Sequence, residues 1–201
     1  MLYTKFVNFV NERYEINNLS EHVVILNIED VNDDYFTFLL YDIIEKTPIG
    51  YIAFGYYNVI ESYMVDGAYS KHGYGPFLYE SAMTKVYPNG ISMSRLSTTL
   101  DDALNVWNKF LNREDVRHER MYSDEITHKK EDWGIEFDGT GFLDDQPKYK
   151  QSIFDLEDTR FFYNYGKDKL ENLLEIGRKY QIDNDISDDD IEYMKYELEA
   201  L

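Results

Sequence analysis

The sequence predicts an α+β domain: a central mixed, mostly antiparallel sheet flanked by helices, with an acidic, partly helical C-terminal extension. Three observations predict it. Short β-branched and aromatic runs follow one another at turn-length spacing between residues 23 and 65. After a glycine-bearing loop at 66–75 the apolar spacing becomes helical. The charge is uneven as well: residues 1–120 carry 17 acidic and 10 basic side chains, net -7, whereas residues 121–201 carry 22 and 10, net -12. Apolar runs also thin out after Tyr122, so the 201 residues divide into a core, 1–120, and an extension, 121–201.

The elements follow in order. Phe6, Val7, Val10 and Tyr14 recur at helical spacing over residues 3–14, and Asn17, Asn18 and Ser20 end that segment. The run Val23-Val24-Ile25-Leu26-Asn27-Ile28 reads as a strand, and Asn32-Asp33-Asp34 as a turn. Residues 35–41 form a second strand, a Glu45-Lys46-Thr47-Pro48 turn follows, and 51–57 and 59–65 give a third and a fourth. Three short connections in succession predict an antiparallel meander. Residues 66–75 are a loop with three glycines, and Pro76 suits the first turn of a helix whose small or apolar face is Phe77, Leu78, Ser81, Ala82 and Val86. Pro88-Asn89-Gly90 ends it. Residues 91–94 are a fifth strand, which a helical crossover allows to run parallel to the fourth. Ser97-Thr98-Thr99 offers capping hydroxyls before a helix through Ala103, Val106, Trp107, Phe110 and Leu111. In the extension, Leu170, Leu173, Leu174 and Ile176 mark a helix over 168–180, and Ser187 with three aspartates opens a capped acidic helix.

Composition narrows the function. A net charge of -19 leaves no cationic surplus to displace counterions, which argues against a nucleic-acid backbone or an anionic membrane as partner. No run of 18 apolar residues occurs, and the first residues lack the zones of a signal peptide, so a cytoplasmic chain is expected. Cysteine is absent, and with it disulfides, thiolate metal sites and a cysteine nucleophile. The four histidines make no HxxxH or HExxH spacing, so no metal site is expected.

The chemical signal lies at 70–76. Glycines between a strand and a proline-started helix let backbone amides face an anion, and the helix N-terminus adds partial positive charge. Lys71 and His72 add two donors there. The same glycines also serve a tight turn. A Walker loop is excluded because no Gly-Lys-Ser/Thr ending exists, and a dinucleotide fingerprint because its third glycine would fall at Leu78.

Strand 59–65, the loop Ser70-Lys71-His72-Gly73-Tyr74-Gly75 and the helix from Pro76 resemble the acetyl-CoA-binding core of the GNAT acetyltransferase superfamily. The family pattern Gln/Arg-x-x-Gly-x-Gly/Ala reads Ser70-x-x-Gly73-x-Gly75 here. Residues 96–107 and the following 112–116 are similar to GNAT-like proteins of tailed bacteriophages, which would place the chain in host cytoplasm. The resemblance spans about residues 20–116, and the chain departs from it twice. Ser70 stands for the usual Gln or Arg, and Trp107 stands where the family often has a tyrosine general acid; an indole cannot protonate a thiolate.

The resemblance implies a central sheet of the GNAT kind and acetyl-CoA as co-substrate. It assigns the pyrophosphate to Ser70, Lys71, His72, Gly73, Tyr74 and Gly75, and the pantetheine arm to an opened strand edge at Met64, Val65 and Asp66, with Ser97 reaching the arm or only capping its helix. Glu61 is the first candidate base or a solvated strand residue. Tyr63, on the same face by alternation, is an acid or a core ring. Asp66 otherwise only turns the loop. An acidic surface favours a cationic acceptor, a small amine or a lysine-bearing protein. The alternative is a catalytically silent relative that binds a basic host or virion protein through its acidic surface.

Overall fold

The computed structural model describes residues 19–30, 35–65, 72–93, 101–120 and 159–200. The expected helix at 3–14 lies outside the described residues, as do Asp66, Ser70, Lys71 and Ser97.

Four strands form the expected meander: β1 (Val23–Asp30), β2 (Tyr35–Asp42), β3 (Thr47–Phe54) and β4 (Val59–Met64), each antiparallel to the next. Helix α1 (Tyr74–Val86) follows, then β5 (Ile91–Ser92), α2 (Asp101–Leu111), β6 (Arg117–Arg120), β7 (Thr159–Phe162), α3 (Lys167–Asp183) and α4 (Asp188–Glu199). The architecture is α+β with antiparallel sheets.

The sheet is divided, not single. β5, β7 and β6 form a second antiparallel sheet with β7 in the middle, and among the described residues the link to the first is one parallel bridge, Asn58 to Ser92. The Ser92 amide donates to the Tyr57 carbonyl at 2.8 Å. The expected parallel direction of β5 holds at that bridge, while the strand itself stops at Ser92.

β2 is buried almost throughout because both sheet faces are covered, which explains its near-continuous apolar sequence. On one face Phe36, Phe38, Leu40 and Ile52 pack with Leu78, Ala82 and Met83 of α1, Trp107 and Phe110 of α2, Phe161 of β7, and Leu170 and Leu174 of α3. On the other face Val24, Leu26, Leu39, Tyr51 and Ala53 pack with Ile191 and Leu198 of α4.

The boundary drawn at residue 120 follows charge and not packing. Phe161 is fully buried, and β7 supplies the central strand of the second sheet. α3 lies along the outward edge of β1, where a Cβ on Gly177 would come within 1.7 Å of the Ile25 carbonyl oxygen. Two turns of contact are completed by Gln181: the Asn27 amide donates to its Oε1 at 3.1 Å, and its Nε2 donates to the Asn27 carbonyl at 3.4 Å. α3 thereby occupies an edge that would otherwise pair with another strand. α4 opens with the expected capping box, Ser187 and Asp190 bonding reciprocally. Residues 159–200 are thus part of the core, not an appendage to it. Among the described residues no helix is long and apolar enough to cross a membrane.

Candidate functional site

The site is built from β4, the start of α1 and the end of β5. β4 pairs with β3 through a register shift: Phe54 faces Val59 and Ala53 faces Glu61, so Ile60 is the extra residue of a bulge. Beyond the bulge the alternation is regular. Glu61 and Tyr63 stand on the α4 face, Glu61 reaching Lys195 Nζ at 3.8 Å and Tyr63 packing against the α4-side core. Ser62 and Met64 stand on the α1 face: Ser62 Oγ lies 2.7 Å from the Tyr79 hydroxyl, and Met64 packs on the α1-side core.

Backbone direction follows the same alternation. The Val65 amide donates to the carbonyl of Ile49 in β3 at 2.9 Å. Residues 61, 63 and 65 therefore turn their N–H and C=O groups toward β3, and Ser62 and Met64 turn theirs away. Among the described residues no strand pairs with β4 on that side beyond the Asn58–Ser92 bridge. Among the described residues a gap thus separates β4 from the second sheet, bridged at Asn58 and unpaired from there toward Met64. Glu61 and Ser62 are exposed, as residues of an edge strand can be.

The N-terminus of α1 lies at the end away from the bridge. A Cβ on Gly75 would be 3.6 Å from Met64 Cγ, so the first turn of the helix touches the end of β4. Gly73 is the N-cap in the left-handed region, φ 78°, a conformation that glycine adopts without steric cost. Among the described residues no side chain caps the helix, and its first turn holds no acidic residue. The helix starts at Tyr74, two residues before Pro76. Pro76 takes a place in the first turn where an N–H would have no intrahelical partner. His72 is exposed, its ring stacked on Tyr74 with centroids 5.6 Å apart. The Tyr74 ring is buried in the core, and burial holds its hydroxyl above the usual range. Any ligand contact by Tyr74 is therefore through its backbone.

The structure thus brings Met64, His72, Gly73, Tyr74 and Gly75 together at one end of the gap, whereas Val65, expected at the open strand edge, bonds to β3 through its backbone and packs on the α4-side core. Glu61 and Tyr63 lie on the same strand but face the opposite side. Glu61 is 53% exposed in its side chain, while its neighbour Lys195 is buried. Lys195 donates to the Tyr35 hydroxyl and to Glu192, each at 2.9 Å, and lies 5.2 Å from the Tyr51 ring centroid. Burial pulls this ammonium down, and the bonds to Tyr35 and Glu192 more than offset it, so the net shift is upward and the charge is retained.

A second ionic cluster sits on the far side of α1. Glu80, with a side chain 1% exposed, is paired by Arg113, which also bonds Asp115 at 2.8 Å. Burial raises the Glu80 carboxyl and Arg113 pulls it back only in part. Its Oε2 has no hydrogen-bond partner.

Sequence reasoning missed two residues of the site. Tyr79 sits among apolar helix residues and carries no pattern of its own. Lys195 is separated from Glu61 by more than a hundred residues. Trp107, singled out for its place in the resemblance, is 1% exposed and lies against Tyr79, Phe110 and Phe161, with the Tyr79 centroid at 5.0 Å. Among the described residues no group of three or more His, Asp or Glu side chains could hold a metal ion. In comparison with family models, curated proteins and solved structures, the chain has no match.

Proposed function

We propose that the chain is an acyl-CoA-dependent N-acyltransferase of the GNAT kind, moving an acetyl group from acetyl-CoA to a primary amine. One observation carries the reading: the outward backbone groups of Ser62 and Met64 line a gap that runs to the N-terminus of α1, which no described side chain caps. An uncapped helix start without acidic residues suits the pyrophosphate in an otherwise anionic protein. His72, and Lys71 beside it in sequence, supply further donors. Strand-edge amides and carbonyls suit the two amides of a pantetheine arm, as an added strand would.

The opposite orientation of Glu61 suits this division of labour. Cofactor enters from the α1 face, and the amine approaches from the α4 face, where Glu61 can take its proton directly or through water. A backbone amide in the gap stabilises the carbonyl oxygen as it gains charge. The exposed carboxylate and the net charge of -19 favour a cationic acceptor, either a small amine or a lysine of a protein.

The alternative, a catalytically silent relative binding a basic host or virion protein, is favoured by the fate of Trp107. It is a core residue and does not itself line the gap. Calorimetric titration with acetyl-CoA separates the two: binding supports the transferase, and its absence the silent relative.

A further inference from the structure

We infer that Ser62 and Tyr79 form a hydroxyl relay that delivers a proton to the thiolate leaving the acyl thioester. The inference rests on the transferase reading and names a part of its machinery that Trp107 cannot supply. The gap begins at α1, beside Met64, and closes at the Asn58–Ser92 bridge. An arm held by its phosphates at α1 lies along β4 with its thioester at the deep end, between Met64 and Asn58. On the α1 face of that stretch stands Ser62, exposed, with its Oγ 2.7 Å from the Tyr79 hydroxyl.

Tyr79 is otherwise enclosed. Trp107 packs edge-on against it at 5.0 Å and Phe110 at 6.3 Å, which fixes the ring with its hydroxyl toward Ser62. Burial raises the phenol, and the Ser62 bond pulls it back only in part, so the proton is present at neutral pH. The indole of Trp107 thus has a positioning role: it holds the tyrosine that reaches the gap from α1.

The step balances. The neutral amine attacks the thioester carbon, a C–N bond forms, and the amine proton passes to Glu61. The C–S bond breaks and sulfur keeps its electron pair. Ser62 gives its proton to sulfur and takes one from Tyr79, and after the thiol departs water protonates the exposed Ser62, which returns the proton to Tyr79. The products are an amide and free CoA thiol.

The test is steady-state thiol release from acetyl-CoA, with spermidine, an aminoglycoside and a lysine peptide as acceptors. Ser62→Ala is expected to lower kcat about 100-fold, the lower end of what general acid–base catalysis supplies, with KM for acetyl-CoA unchanged. Ser62→Thr, which keeps the hydroxyl, should restore kcat to within about threefold of the parent, and Tyr79→Phe should match Ser62→Ala without adding to it. Ser62 is exposed, so its variants decide the matter even if Tyr79→Phe does not fold. An active parent whose Ser62→Ala variant stays within about threefold overturns the relay alone, since general acid loss costs more than that. A parent that cleaves acetyl-CoA with none of the three acceptors overturns the transferase reading and the relay with it.

Discussion

Two carboxylates with opposite surroundings carry the residue-scale chemistry. Glu80 is buried with one oxygen unbonded and depends on Arg113 for its charge. Arg113→Met should therefore destabilise the protein by about 3 kcal/mol at pH 7, since removing one member of a buried pair strands the other. A carboxyl held above its unfolded value binds protons more tightly in the folded state, so folding weakens as pH rises through that interval. The loss in Arg113→Met should accordingly shrink as pH falls from 7 to 5 and Glu80 takes up a proton. Urea unfolding at both pH values checks this, and a loss independent of pH would show that Glu80 stays ionised without Arg113. Glu61 is exposed, and Lys195 keeps Tyr35 and Glu192 without it. Glu61→Gln should fold normally, bind acetyl-CoA as the parent does, and turn over about 10²–10⁴ more slowly. The deficit should narrow as pH rises and more free amine is present. Turnover against pH for parent and variant measures it, and a variant within a few-fold at neutral pH removes Glu61 from the mechanism.

At the scale of elements, local contact explains why some were legible and others not. The meander could be read because each strand pairs with its chain neighbour, so turn chemistry and β-branched runs specify it locally. α4 could be read because Ser187 and Asp190 form its cap within one turn. β7 could not: Thr159-Arg160-Phe161-Phe162 is four residues long, and its pairing partners, β5 and β6, lie far earlier in the chain. The resemblance puts an opened strand edge at Met64, Val65 and Asp66; Met64 turns its backbone away from β3, Val65 turns its own toward it, and Asp66 lies outside the described residues. The Ser62–Tyr79 pair depends on how α1 docks, which spacing along the chain does not encode. The place of α3 hangs on one residue. Alanine at Gly177 gains about 1 kcal/mol of helix preference, but its Cβ meets a backbone carbonyl that cannot rotate away. Overpacking of that kind costs about 1–3 kcal/mol or more, so Gly177→Ala should lower stability by about 2 kcal/mol. Thermal unfolding tests this, and an unchanged or raised midpoint would mean that α3 does not lie against β1.

The whole molecule joins two small sheets at one bridge and ties them with segments from the acidic end of the chain. β7 completes the second sheet, α3 covers the edge of the first, and α4 covers its outer face. Acidic side chains remain outward, so charge and packing divide the chain differently. The consequence for function is a strand edge between the sheets whose far end meets a helix N-terminus with no acidic residue in its first turn. Gly73→Asp is a poor probe of it, because a side chain at φ 78° costs about 1–2 kcal/mol by itself. Gly75→Asp is the better one, since its Cβ would make only an ordinary contact with Met64. The most direct measurement is calorimetric titration of acetyl-CoA into the parent and Gly75→Asp, with thermal unfolding as a check that both are folded. The expected result is one site in the parent and an affinity at least tenfold weaker in the variant, about 1.4 kcal/mol, from a carboxylate placed among amides that face phosphate. No binding to the folded parent, or equal affinity in the two proteins, would contradict a cofactor site at the gap between β4 and β5.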